Sequence, residues 1–313
     1  MQKSAVPVLI ASVLTWALLL VCSRALVIGL DLDPWMFTFL QMGSGGLFFI
    51  VISWGADAGI SALRRLDTWL IGIFRIGTAA LYMAALVHVD VLQAGFFGAI
   101  GVPVSAFAVC LLFSRRPTRL EVLGHIPLVA GSVTTAFGFD GSLDNPALFL
   151  LILSLICVLS ASLFAERHPH MTALAPRTRL RLTGIVLLLT AVGFAFWRIV
   201  QSATGMTDSA DLMELMRPEL WAAALGLGIT LRGLATYLGF RAAAVAGTHN
   251  YLAAVLILPM VGAVLEGIVA NHGYGPWPEI GPHQIAAGVL IVSGGTMVIY
   301  ARKRAGKVAT QAA

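Results

Sequence analysis

The chain has 313 residues, of which 58% are hydrophobic and only 11% charged, and it carries a formal net charge of +5. A water-soluble domain needs about 25% charged residues, so this composition excludes one and points to an integral membrane protein. The basic excess is then charge held against anionic lipid headgroups, and no nucleic-acid partner is expected.

Lys3 precedes an apolar run from Ala5 to Gly29. That run is too long for the core of a signal peptide, so it is read as an uncleaved first span. A helical span needs about 20 mostly apolar residues. On that measure further spans follow at 34–54, 69–88, 91–113, 122–138, 147–165, 182–202, 219–240, 247–270 and 284–301. Breakers punctuate the turns: Asp31-Leu32-Asp33-Pro34, Arg115-Arg116-Pro117, and Asp140 through Pro146. Residues 55–68 and 203–218 read as interfacial amphipathic helices or plain loops. Cys22, Cys110 and Cys157 all fall in apolar runs, so neither a disulfide framework nor a metal site is expected, and no cofactor is expected either.

Of the 20 Lys and Arg residues, 15 fall at the N-terminus, in alternate loops and at the C-terminus, and only Arg217 falls in the opposite loops. Short cytoplasmic loops collect Lys and Arg. The segregation predicts an even number of spans in a cytoplasmic-type (inner) membrane, with both termini inside. Asp31, Asp33, Asp90, Asp140, Asp144, Asp208, Asp211, Glu214 and Glu279 are biased to the outer loops. Four basic residues, Arg24, Arg75, Arg198 and Arg232, lie inside apolar runs.

The chain also repeats itself. Pro103 is followed by Gly124 and Gly131, and Pro259 by Gly288 and Gly295; Arg75 and Arg232 precede their prolines by nearly equal intervals. Two halves with five spans each must be inverted relative to one another, a recurrent device of transporters whose substrate site lies near the bilayer midplane. The expected organisation is a first five-helix repeat over 1–139, an outer linker over 140–146, and a second repeat with a cytoplasmic tail over 147–313.

On these residues the chain resembles the drug/metabolite transporter superfamily, in its ten-span EamA type. Trp16 with Arg24 resembles the family's first-span pair, Asp33-Pro34-Trp35 its entry to the second span, and Pro103 and Pro259 its fourth-span prolines. Leu265-Glu266 and the run from Gln284 to Gly294 fit as well. The resemblance implies a central cavity lined by spans one to four and six to nine, with spans five and ten in support. The chain departs from the pattern at Ala17, at Gln41 (where many members have Arg) and at Ser114.

An Arg near a helix centre costs about 2.5–3.5 kcal/mol on insertion scales and normally faces the bundle interior or a wet cavity. Arg75 and Arg232 lie within about 4–6 Å of the middle of their spans and are expected to face each other across the repeat interface. Arg24 and Arg198 lie nearer the outer ends. No Asp or Glu falls near the middle of any span. That pattern suits a small anionic or zwitterionic substrate, because guanidinium matches planar two-oxygen anions. The candidate substrate residues are Arg75, Arg232, Tyr82, Trp16, Gln41 and Arg24; Glu266, His249, Pro103 and Pro259 are the candidates for gating or coupling. Trp197 and Tyr237 are further wall candidates, and His168-Pro169-His170 reads as incidental loop sequence. The expectation is a secondary transporter in the bilayer that moves an amino-acid-like metabolite outward by alternating access. Cation efflux is the alternative, a non-transporting scaffold is a further one, and an enzyme is not expected. Monomer and homodimer are both compatible with the sequence.

Overall fold

The computed structural model describes residues 5–57, 59–85, 88–89, 91–113, 117–140, 145–172, 175–205, 213–273, 277 and 280–311. The linker residues 141–144 lie outside this set, as do Lys3, Asp90, Ser114, Arg115, Arg116, Asp208, Asp211 and Glu279. The described residues are helical, with no strand among them.

The long elements are α1 (Ala5–Gly29), α2 (Pro34–Ile52), α3 (Leu66–Ala85), α4 (91–113), α5 (Arg119–Asp140), α6 (Pro146–Arg167), α7 (Pro176–Ala203), α8 (Pro218–Ala246), α9 (Thr248–Asn271) and α10 (Pro282–Gln311). Their starts follow local chemistry. Asp33 Oδ1 accepts the Met36 N–H at 2.7 Å, and Asn145 Oδ1 accepts the Ala147 N–H at 2.9 Å. Each is followed by a proline at the first helical position, where a missing N–H costs nothing. Thr118 and Glu121 form a reciprocal capping box at α5.

Among the described residues eight helices are long and apolar enough to cross a membrane, which makes this a multi-pass membrane protein. The expected third and fourth spans are not among the eight. Asp67, Thr68, Arg75 and Thr78 dilute α3, and α4 is broken by a 3-10 turn at Gly98–Ile100. Val6, Ile10, Leu14 and Leu18, four residues apart on α1, are all exposed. Such a stripe is intolerable in water and natural against acyl chains.

Helix packing relies on missing side chains. A Cβ at Gly46 would strike the Gly184 carbonyl of α7, and one at Gly124 would crowd Val298 and the Gly294 carbonyl of α10. Close backbone approach of this kind is what holds helices together where lipid competes for apolar contact. The principal pairs are α5 with α10, α3 with α6, and α2 with α7; α1 packs on α8 and α9. Of the two uncertain segments, the first contains a short helix, Ile60–Leu63. The second has a 3-10 turn, Glu214–Met216, in its described part.

The loop histidine His168 is not incidental. It is fully buried, shares a hydrogen bond with Thr68 Oγ1 through Nε2 (3.0 Å), and accepts the His170 N–H on Nδ1 (3.3 Å). Asp67 lies 3.4 Å from Nε2. The ring therefore pins the end of α6 to the start of α3 as the neutral Nε2–H tautomer. Burial depresses its pKa to about 4, against the pull of Asp67. Between that value and the ordinary 6.5 the unfolded chain binds the proton that the folded one refuses, so this contribution to stability is whole above 6.5 and is lost as the pH falls toward 4. Thermal unfolding in detergent is expected to show a midpoint that declines over that window, with a shallower decline for His168→Gln.

Candidate functional site

The site begins with an irregularity in α8. At Gly228–Arg232 the helix takes one π turn, closed by the Gly233 N–H on the Gly228 carbonyl. Gly226, Gly228 and Gly233 supply little to hold a regular helix. α2 approaches closely here, where Ser44 and the Gln41 carbonyl occupy the space that a Cβ on Gly228 would need. Single π turns are frequent at functional sites. This one ends on Arg232 and turns it inward, where only 8% of the residue remains exposed.

Arg232 Nε donates to Gln41 Oε1 at 2.7 Å, and Gln41 Nε2 donates to Ser23 Oγ at 3.1 Å. Arg75, equally buried, comes from α3. Its guanidinium carbon lies 5.3 Å from the centroid of Trp16, and that of Arg232 lies 5.8 Å from the same ring. The two cations share one aromatic on α1 and are close enough to repel each other. Among the described residues neither has a carboxylate partner. The Tyr251 hydroxyl of α9 sits beside Ser12 and the Trp16 indole nitrogen, within electrostatic reach of Arg75.

These groups line a cavity of about 250 Å³. Its polar wall comprises Trp16, Arg75, Arg232, Tyr82, Tyr251 and the hydroxyls of Thr38, Thr78 and Ser154; the remainder is apolar, from Leu20 on α1 to Pro259 on α9. Two broken helices meet there. Proline removes a hydrogen bond from the carbonyl four residues earlier and crowds it; for Pro103 that residue is Ala99, and for Pro259 it is Val255. Both line the cavity, beside the interruptions at Gly98–Ile100 and at Leu256 and Ile257. A Cβ on Gly95 would run into the Pro259 ring, so α4 and α9 touch across this floor.

The structure therefore brings together Arg75, Arg232, Tyr82, Trp16 and Pro259. Gln41 stands one layer behind, fully buried. Arg24 is away from the wall and pairs with Glu266 at 2.7 Å, joining α1 to the far end of α9. His249 lies at the opposite end of α9, with Nδ1 hydrogen-bonded to Ser105 of α4 and its ring 6.3 Å from that of His125. Near it Arg302 bonds Glu121 (2.6 Å) and Asn250 (2.9 Å), tying α10 to α5 and α9. Polar ties thus bracket the cavity-lining stretch of α9 at both ends. Pro103 acts through Ala99 and is not itself on the wall.

Arg198, near the outer end of its span, is buried 3.6 Å from Asp33. Trp197 lines a different, apolar pocket with Trp35 and Phe194, and Tyr237 packs edge-on against Phe49. Tyr251 escaped the sequence reading. It lies four and eight residues before Val255 and Pro259, a same-face spacing that could have found it.

Against known protein families, the first part of the chain gives a match. Residues 3–137 match the EamA-like transporter family. Over that segment the chain is similar to membrane transporters of the drug/metabolite transporter superfamily. A solved crystal structure shares the fold over 96% of this chain and 99% of its own, at 18% identity and a TM-score of 0.67. A comparison with curated proteins finds no match.

The Trp16 ring supports both cations, each contact contributing about 0.5–2 kcal/mol. Trp16→Leu is expected to lower the thermal midpoint by several degrees, whereas Trp16→Phe retains most of it; unfolding in detergent measures both.

Proposed function

We propose that this protein is a ten-span transporter in the inner (cytoplasmic) membrane, with both termini inside. Two inverted five-helix halves, 1–139 and 147–313, export a small anionic or zwitterionic, amino-acid-like metabolite by alternating access. The observation that carries the substrate assignment is the pair of buried guanidinium groups, Arg75 and Arg232, on one cavity wall without a carboxylate partner among the described residues. Buried charge of this kind is retained where a ligand of the opposite sign completes it. A cationic cargo would meet two like charges and, among the described lining residues, no acid.

The repeat reading draws support from packing. The pairs α1 with α8, α2 with α8 and α4 with α5 correspond, on a shift of five helices, to α6 with α3, α7 with α3 and α9 with α10, all of which occur. Trp69 and Trp221, each three residues into α3 and α8, donate their indole N–H to the carbonyl six residues earlier, Leu63 and Leu215, both at 2.8 Å. The third and fourth spans are then α3 and α4, whose polar content and break belong to the cavity. Arg24 with Glu266 on one side, and His249 with Ser105 on the other, are the groups placed to open and close.

A thermal-shift screen of the purified protein tests the substrate assignment. Organic acids and amino acids are expected to raise the unfolding midpoint in a concentration-dependent way. Arg75→Ala and Arg232→Ala are each expected to weaken that effect by about tenfold or more, the loss of a charge-assisted pair. Stabilisation by quaternary amines alone, unchanged in both variants, would overturn it.

A further inference from the structure

The same cavity bears on which charge state of the cargo fits. We infer that it selects an organic anion with an apolar body and no cationic group over the matching zwitterion, and that Gln41 is the positioning residue that sets this preference. The inference rests on the anion-site reading and narrows it.

A zwitterion brings an ammonium group that needs an acceptor. Among the described lining residues there is no Asp or Glu; the acceptors there, hydroxyl oxygens and the Ala99 and Val255 carbonyls, carry no charge to offset an ammonium. One aromatic face of the wall, Trp16, is already shared by Arg75 and Arg232. In a site this size an ammonium cannot stand far from both guanidinium groups, and their repulsion acts through a poorly screening medium. The rest of the wall, including Leu20, Met42, Leu151, Leu155 and Val255, suits hydrocarbon.

Gln41 is what keeps the wall at two full charges. Its amide oxygen engages Nε of Arg232, leaving the terminal guanidinium nitrogens, which have no partner among the described residues, to the cavity. Its amide nitrogen is anchored on Ser23. A carboxylate of the same length would pair with Arg232, cancel one charge and place an acceptor within reach of an ammonium. The neutrality of this buried side chain, and not only its shape, therefore sets the sign preference.

The test uses matched ligands on the full-length protein in detergent: hydrocinnamate against phenylalanine, and 4-methylpentanoate against leucine, with affinities from calorimetry. Wild type is expected to bind each acid about tenfold or more tightly than its amino acid, the scale set by like-charge repulsion at short range. Gln41→Glu is expected to lose about tenfold or more for the acids and to narrow or reverse the ratio. Gln41→Met, neutral and of similar length, keeps the preference at reduced affinity, which separates charge from packing should the Glu variant not fold. Amino acids binding wild type as tightly as the acids would overturn the inference while leaving the anion site intact. So would a folded Gln41→Glu with an unchanged ratio. Absence of binding by either class would overturn the anion-site reading and this inference with it.

Discussion

Two like charges buried at one point, without a carboxylate beside them among the described residues, are the constraint on which the rest of this structure turns. Each arginine costs about 2.5–3.5 kcal/mol to place in the hydrocarbon layer on the gentlest scale. A cation–π contact returns about 0.5–2 kcal/mol, and a hydrogen bond to a charged group about 1.5–3 kcal/mol. Arg232, with both Trp16 and Gln41, comes close to balance; Arg75, with Trp16 and the more distant Tyr251, does not. Mutual repulsion adds to the debt. An anion in the cavity, as proposed, would offset that debt.

Backbone irregularity is concentrated where this charge is. The π turn in α8, the 3-10 turn in α4 and the break in α9 all border the cavity. Irregular backbone at membrane depth is tolerated only where it is buried in protein or lines a cavity. Glycine makes the same point from the other side. The close contacts of Gly45 and Gly228 draw α2 onto α8 and bring Gln41 within hydrogen-bonding distance of Arg232. A bulkier residue at either position would part the amide from the guanidinium before it disturbed any apolar core. Packing and electrostatics are one design problem here.

Much of this was legible in the sequence because charge in an apolar run is conspicuous. Arg75 and Arg232 stand out without any structure, Tyr82 follows from helical spacing, and the prolines mark where helices weaken. What could not be read was pairing across the fold. Arg24 looked like a cavity residue until α9 brought Glu266 to 2.7 Å from it. Gln41 looked like a wall residue, but the close contact of α2 with α8 puts it behind Arg232 and not before the substrate. His168 looked like loop filler because nothing local reveals that Thr68, a hundred residues away, completes its hydrogen bonding. The π turn, too, lies where α2 packs closely on a glycine-rich stretch, a contact that a single helix's sequence does not encode.

The correspondence between the halves is instructive where it fails. α8 packs extensively on α6 and on α9, yet the corresponding contacts of α3 with α1 and with α4 are not matched in extent among the described residues. The cavity is lined at that gap, by Trp16 and Leu20 of α1, Arg75 to Tyr82 of α3, and Ala94 to Val102 of α4. On the proposed repeat reading, a second arrangement with α3 drawn in and α8 released would exchange the roles of the two halves. The π turn lies in the helix that would have to loosen, and the glycines around it make such a slip inexpensive. Arg232 would move with it. A ligand that bridges Arg75 and Arg232 could then bias the exchange through its differential contacts with the two arrangements, which is the physical requirement for any ligand-driven conformational change.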